Sequence, residues 1–464
     1  MSYEAALGAI ADPKFKKLCE QIVAAMERIP VPGVAVGVVD GDTEHVAGFG
    51  VTNVDHPLPV DGETLFQIGS TTKTVTGTAA MRLVEQGRLD LDAPIRAYLP
   101  ELRLADEATA AGVSLRHLFS HTAGWVGDYF DDLGNGDDAL AQIVDRMVDL
   151  PQITPLGAIW SYNNAGFYLA GRVIEVVTGK PYEAAVQELV LGPLGMTMSF
   201  FFAADAITHR VAVGHESPYE DGAGPPKVLR PWALARAAHP AGGIASSARD
   251  QLRYARFHIG DGTAADGTRL LAPASIAFMQ SPIAPAANGE FSGVTWFLRD
   301  AGGVRLVRHG GATNGQLSAF VMAPARRFAI TILTNANRGG ELHREVVRWA
   351  LRAYLGIDER PPVPLALAEE QLAVYIGRYT AALDEIALSQ GQGALTMHVT
   401  PKGGFPTRES PAPPAPPPMR LALCEGDRAV VLDGPMRDTL GEFLRAADGT
   451  IAWFRFGGRV HARH

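Results

Sequence analysis

Only two cysteines, Cys19 and Cys424, occur among 464 residues, and they fall in distant parts of the chain. That scarcity excludes a disulfide framework and a cysteine-based zinc cluster. Basic residues are in deficit as well: 41 Lys and Arg face 50 Asp and Glu, for a formal net charge of -9. Such a balance gives no cationic footprint for phosphate backbones, so nucleic acid is not an expected partner. Long apolar runs are also missing. No stretch approaches the ~20 apolar residues that a membrane span needs. The N-terminal MSYEAALGAIADPKFKKLCEQIVAAMERI carries charges throughout, which suits an amphipathic helix and not a signal peptide. A cytoplasmic protein with no membrane partner is expected.

What is present is ordinary globular material, with 47% apolar and 20% charged residues, enough to bury a sizeable core. The length predicts a large unit with a smaller appendage. The boundaries expected are 1–359, a linker at 360–368 that includes RPPVP, and 369–464. Val31–Val39 and His45–Gly50 flank the turn residues DGDT and predict a β-hairpin. From Ser70 to Gly87, Val75, Ala79, Ala80, Leu83 and Val84 fall at helical spacing. A further helix is expected from about Ala165 to Val177, stopped by Gly179, and another after a cap at Ser247 and Asp250. Strands return at Val304–Val307, Gly315–Met322 and Phe328–Thr334. Strands from both ends around a helical middle predict an α+β unit, an α/β sandwich whose antiparallel sheet is closed by distant sequence. Beyond the linker, β-like pieces such as Ala422–Leu432 and Ile451–Phe456 surround PAPPAPPP at 411–418, which cannot join a ladder. They predict a small β-barrel.

Three motifs carry chemistry. In Ser70-Thr71-Thr72-Lys73 the hydroxyl and the amine sit three residues apart on one helical turn and reach one point. A serine needs a base to become a nucleophile, and a lysine serves only when its amine is kept neutral, which burial and a helix N-terminus favour. The backbone N–H of Ser70 also faces a developing oxyanion. On its own the motif is weak evidence, since a capped helix with a solvated lysine is the more frequent origin of this spacing. Tyr162-Asn163-Asn164 follows a Pro155-Leu156-Gly157 turn. Its phenol can relay a proton, and the Asn164 amide can hold both Lys73 and a substrate carbonyl; a packed tyrosine beside a helix-capping asparagine accounts for it as well. In His309-Gly310-Gly311, at a strand end, the glycines admit a substrate backbone, Ala312 offers a second oxyanion N–H, and His309 adds a donor or a weak positive charge.

Ile68-Gly69-Ser70-Thr71-Thr72-Lys73, Leu118-Phe119-Ser120-His121-Thr122-Ala123-Gly124, Trp160-Ser161-Tyr162-Asn163-Asn164 and His309-Gly310-Gly311 stand in the order seen in the penicillin-binding protein and class C β-lactamase superfamily, which the chain resembles over roughly residues 20 to 355. The resemblance implies a helical lobe packed on a lobe with a central antiparallel sheet, and an acyl-enzyme formed on serine. It makes Ser70 the nucleophile, Lys73 the base, Tyr162 the proton relay, Asn164 the substrate-orienting amide and His309 the occupant of the third-motif cation position. Class C β-lactamases carry Lys-Thr-Gly there, so a permanent cation is replaced by a mostly neutral group, which argues against efficient penicillin hydrolysis. The H-x-G form resembles family VIII carboxylesterases, D-amino-acid-specific peptidases and the penicillin-binding-protein-type thioesterases that cyclise nonribosomal peptides. Several of these carry a C-terminal lipocalin-like domain, and Leu372–Tyr379 and Ile451–Val460 resemble its opening and closing strands.

Expected substrates are therefore small esters, D-amino-acid-containing amides or peptides, or peptidyl thioesters, resolved by water or by an amine. A weak β-lactamase and a β-lactam sensor acylated once remain alternatives. His121 reads as scaffold, Gly242-Gly243 as a tight turn, and Trp125 and Tyr129 as pocket wall or packing. His215 and His239 lack metal-ligand spacing. No cofactor is implied, substrate choice is assigned to the loops 125–138 and 215–232, and a homo-oligomer stays open.

Overall fold

The valine-rich run after the first helix forms the strand Gly33–Asp40, buried over its first seven residues. Burial on both faces marks the inside of a sheet. It pairs antiparallel with Thr43–Gly50, its hairpin partner, and with Phe328–Thr334, about 300 residues on, in the register Val34↔Thr334. The sheet continues through Leu317–Ala323, Val304–Ala312 and Phe297–Ala301 to the short strands Phe291–Ser292 and Ala284–Pro285, eight strands in all. In the computed structural model, residues 3–219, 224–359, 362–391 and 393–464 are described. Met1 and Ser2 of the expected N-terminal helix, 220–223 of the expected substrate loop, and Arg360 and Pro361 of the expected linker lie outside the described residues.

The N-terminal stretch is two helices and not one, Tyr3–Gly8 and Pro13–Arg28. Asp12 accepts from Phe15 N at 2.6 Å and Pro13 takes the first helical position, so a new helix starts there. Leu18, Ile22 and Val23 of this helix pack with Leu342, Val346 and Leu351 of Gly339–Leu355 on one face of the sheet. On the other face lies the helical lobe, with Phe66, Phe119, Tyr168 and Trp296 in its core. Its central helix, Thr72–Glu85, is buried on nearly every side, which is why its residues are small and why its polar groups need partners. Thr76 Oγ1 and the Tyr182 hydroxyl lie 2.8 Å apart, as do Thr78 Oγ1 and the Tyr254 hydroxyl.

The expected helices at Ala165–Thr178, ended by a left-handed Gly179, and Ala248–Ile259, capped by Ser247 Oγ on Asp250 N, are present. The C-terminal strands close into an eight-stranded antiparallel barrel from Gly377–Thr380 to Arg459–Arg463, sealed by Tyr379↔Arg463. Tyr379, Leu388, Leu421, Phe443 and Phe454 fill it. Two of its boundaries differ from expectation. Leu372 and Ala373 end a short helix, Glu369–Ala373, and the first strand begins only at Gly377. Ile451–Val460 is not one closing strand: Gly457 and Gly458, with φ of 56° and 79°, turn it into a hairpin of Ile451–Phe456 and Arg459–Arg463. Residues 411–418 stay outside the ladder. Among the described residues, no helix is long and apolar enough to cross a membrane.

Candidate active site

A turn of 3₁₀ helix, Gly69–Thr71, delivers the chain into Thr72–Glu85 and leaves Ser70 at the cavity floor. Gly69 has φ of 51°, and a Cβ on it would lie 2.7 Å from Ala312 N. A Cβ on Gly311 would lie 1.9 Å from Ile68 O and 2.7 Å from Ser70 N. The close approach that these glycines admit is therefore that of the Ser70 turn to the third-motif strand, in addition to any substrate. Thr313 N donates to Gln316 O at the end of the hairpin, so Ala312 falls in the next, non-bonded register position and its N–H points away from strand Leu317–Ala323. That edge faces the Ser70 turn. Ser70 and Ala312 thus bring their backbones together as an oxyanion site requires.

Lys73 is fully buried, and its Nζ has three partners: Asn164 Oδ1 at 2.7 Å, Ala241 O at 2.6 Å and Ser70 Oγ at 3.0 Å. A neutral amine has two N–H donors and one lone pair. Two of the partners accept only, so the lone pair is left for the Ser70 hydroxyl. The orientation of the Asn164 amide is settled by its other contact, Nδ2 donating to Asp128 Oδ1 at 2.8 Å, since a carboxylate only accepts. Burial, with help from the Arg459 charge and against that of Asp128, holds the Lys73 ammonium well below the ordinary lysine range.

Tyr162 stands over this amine, its ring centroid 5.0 Å from Lys73 Nζ. Burial raises its phenol pKa, while Ser70 and Arg459 favour the phenolate. Asn163, the other asparagine of the motif, is structural: its Oδ1 accepts from Gly166 N at 2.8 Å and caps the following helix. His309 is buried and stacked on Phe297 at 4.8 Å, and Nδ1 lies 2.6 Å from Gly310 O. A carbonyl accepts, so Nδ1 carries the proton and Nε2 is an acceptor. Burial pushes the His309 pKa down to about 3. Of the donor or weak positive charge expected of His309, the charge is disfavoured near neutral pH by burial of the ring.

The cavity, about 620 Å³, is lined by Ser70, Tyr162, Asn164 and His309 to Ala312, but also by Leu383, Phe405, Leu440 and Gly457 to Arg459 of the barrel. Sequence reasoning missed two contributors, Asp128 and Arg459, and read His121 as scaffold without placing it at the site. His121 stacks on Tyr162 at 4.5 Å, and its Nδ1 accepts from Asn163 N at 3.0 Å, so its role is to support the tyrosine motif. Asp128 orients Asn164. Arg459 carries its guanidinium over the Tyr162 ring, 4.6 Å from the ring centre. Trp125 is buried in the core of the helical lobe, and Tyr129 donates its hydroxyl to Asp131; neither lines the cavity. Among the described residues there is no group of three or more His, Cys, Asp or Glu that could hold a metal ion.

Comparison with known proteins matches a family model described as Beta-lactamase to residues 20–354. Penicillin-binding protein 4 of Amycolatopsis lactamdurans is 35% identical over 336 residues, 70% of this chain and 87% of that protein. Esterase EstB of Burkholderia gladioli is 35% identical over 222 residues, 45% of this chain and only 55% of that esterase. Among solved structures, the crystal structure of SurE superposes with a TM-score of 0.74 at 26% identity, covering 97% of this chain and 99% of that one. The SurE match therefore extends through the barrel, whereas the family model stops before it.

Proposed function

The chain belongs to the beta-lactamase family, and from that premise we propose that it is a serine hydrolase of small esters and of amides or peptides containing D-residues, acting through an acyl-enzyme on Ser70. The observation that carries this reading is the coordination of Lys73, whose two N–H groups are occupied by carbonyl oxygens and whose third partner is the Ser70 hydroxyl. Lys73 takes the hydroxyl proton as Ser70 Oγ bonds to the acyl carbon. The resulting oxyanion is received by the N–H groups of Ser70 and Ala312. Collapse breaks the bond to the alcohol, amine or thiol, which leaves with a proton passed from Lys73 through Tyr162. Water then adds to the acyl carbon, gives its proton back along the same route, and frees the acid and Ser70. Asn164, and the strand edge at Gly310 and Gly311, orient the acyl group.

A second reading, peptide thioester release by an internal amine, draws support from the barrel side of the cavity. Phe405, Leu383 and Leu440 line it together with Phe130 and Phe297, and apolar walls disfavour water as the acyl acceptor. p-Nitrophenyl butyrate, nitrocefin and a D-amino-acid peptide thioester with a free amine separate the readings. Ester turnover that exceeds nitrocefin turnover and yields linear acid from the thioester supports the hydrolase. Cyclic product transfers the assignment to an acyltransferase, and nitrocefin turnover above ester turnover refutes both.

A further inference from the structure

The last hairpin of the barrel is seated on the tyrosine motif around its turn. Gly458 O accepts from Tyr162 N at 2.8 Å, Ser161 Oγ accepts from Val460 N at 3.2 Å, and Arg455 donates to Trp160 O at 2.9 Å. Arg459 follows the glycine turn. Its guanidinium meets Asp128 through two nitrogens at 3.0 and 3.1 Å, a forked geometry that a lysine cannot reproduce. Asp128, with a side chain only 4% exposed, passes the connection to Asn164 Nδ2, and Asn164 Oδ1 holds Lys73. A continuous line of polar contacts thus runs from the barrel to the amine beside Ser70.

We propose that Arg459, delivered by the barrel and held on Asp128, is a positioning residue of the proton relay, which makes the barrel hairpin part of the active centre. The proposal rests on the reading of Ser70 and Lys73 given above. Stability alone is a poor reason for the pair, because Arg459 keeps a third of its side chain exposed, where an ion pair contributes little, while Asp128 bears the cost of burial. Its placement supplies a reason. The cation lies 4.6 Å from the centre of the Tyr162 ring, close enough to favour phenolate character there and to disfavour a second cation at Lys73. Asp128 moderates that field and locks the Asn164 amide in the orientation that leaves the Lys73 lone pair for serine.

The other charged or titratable groups around Lys73 do not duplicate this effect. Burial keeps His121 and His309 uncharged. Arg308, next to His309, is paired with Glu290. The segment His239–Gly242 presents the Ala241 carbonyl to Lys73, with His239 tied to Glu183, which also binds Arg236.

The test is the pH profile of kcat/KM for p-nitrophenyl butyrate with the full chain, its Arg459→Gln, Arg459→Lys and Asp128→Asn variants. The ester is uncharged and offers Arg459 no carboxylate to grip, so the assay reads the relay and not substrate recognition. Loss of the cation lets Lys73 keep its proton to higher pH. The acid limb of Arg459→Gln is expected to move up by about one pH unit, with activity at any fixed pH on that limb about tenfold lower. Asp128→Asn removes an anion and moves the limb down, while Arg459→Lys, which keeps the charge, leaves it near the wild-type position. A merely structural pair would lower activity in both variants with the limb unmoved, and that result overturns the proposal. Should Arg459→Gln fail to fold by circular dichroism, the direction of the Asp128→Asn shift decides alone. Intact-protein mass spectrometry of the same samples keeps the two levels apart: absence of a Ser70 acyl adduct in the wild type removes the underlying reading, whereas an adduct with unmoved limbs removes only this proposal.

Discussion

At the scale of single residues, the chemistry of the site depends on where protons can sit. Lys73 is buried and bonded as a neutral amine, so Lys73→Ala should lower acylation about 10²-fold or more in stopped-flow assays of ester turnover. Tyr162→Phe keeps the ring against His121 and Arg459 and removes only the hydroxyl, and a loss of similar order is expected. A loss below about threefold in both variants would mean that the proton leaves Ser70 by another path. The roles of Ser70, Lys73 and Tyr162 were legible because each motif is local in sequence and the three stand in a known order. Asp128 and Arg459 were not legible: they are 331 positions apart, and neither lies in a motif. His121 was readable as scaffold but not as the ring beneath Tyr162, since stacking across 41 positions leaves no mark on spacing.

At the scale of elements, the site is a meeting of one turn and one strand edge. A methyl group on Gly311 would collide with Ile68 O and Ser70 N, both backbone atoms that cannot step aside. Gly311→Ala is therefore expected to displace the Ser70 turn and cut the acylation rate about 10²-fold or more while leaving far-ultraviolet circular dichroism unchanged, because a shift of about 1 Å is enough to spoil attack geometry. An acylation rate within threefold of wild type would show that the two elements are not in contact during turnover. Periodicity and turn residues placed the central helix, the first hairpin and the three strands before Thr334 within a few residues of their observed bounds. Two readings failed for local reasons. The Asp12-Pro13 start signal divides the first helix, and Gly457-Gly458, a dipeptide that favours a tight hairpin, divides what had been expected as one strand.

At the scale of the whole molecule, four buried histidines couple stability to pH. Burial lowers His258, His309 and His343 to about 3 and puts His121 well below 6.5. The unfolded chain binds these protons near pH 6.5 and the folded chain does not, so the unfolded state holds more protons between those limits. Stability is then full above about pH 6.5 and falls as the pH is lowered toward 3. The melting temperature followed by circular dichroism should drop between pH 7.5 and pH 5, and an unchanged value would place these rings in contact with water or an anion. The presence of a barrel was legible from composition, short strands and the proline-rich loop. Its seating on the tyrosine motif was not, because the contacts join backbone groups of Tyr162 and Gly458 that every sequence carries.

The central claim, an acyl-enzyme on Ser70, is tested most directly by intact-protein mass spectrometry during turnover of an ester or a peptidyl thioester, followed by peptide mapping. A mass increase equal to the acyl group, mapped to Ser70, is expected in the wild type, with neither the adduct nor turnover in Ser70→Ala. Full turnover in Ser70→Ala, or an adduct mapped to a different side chain, would contradict it.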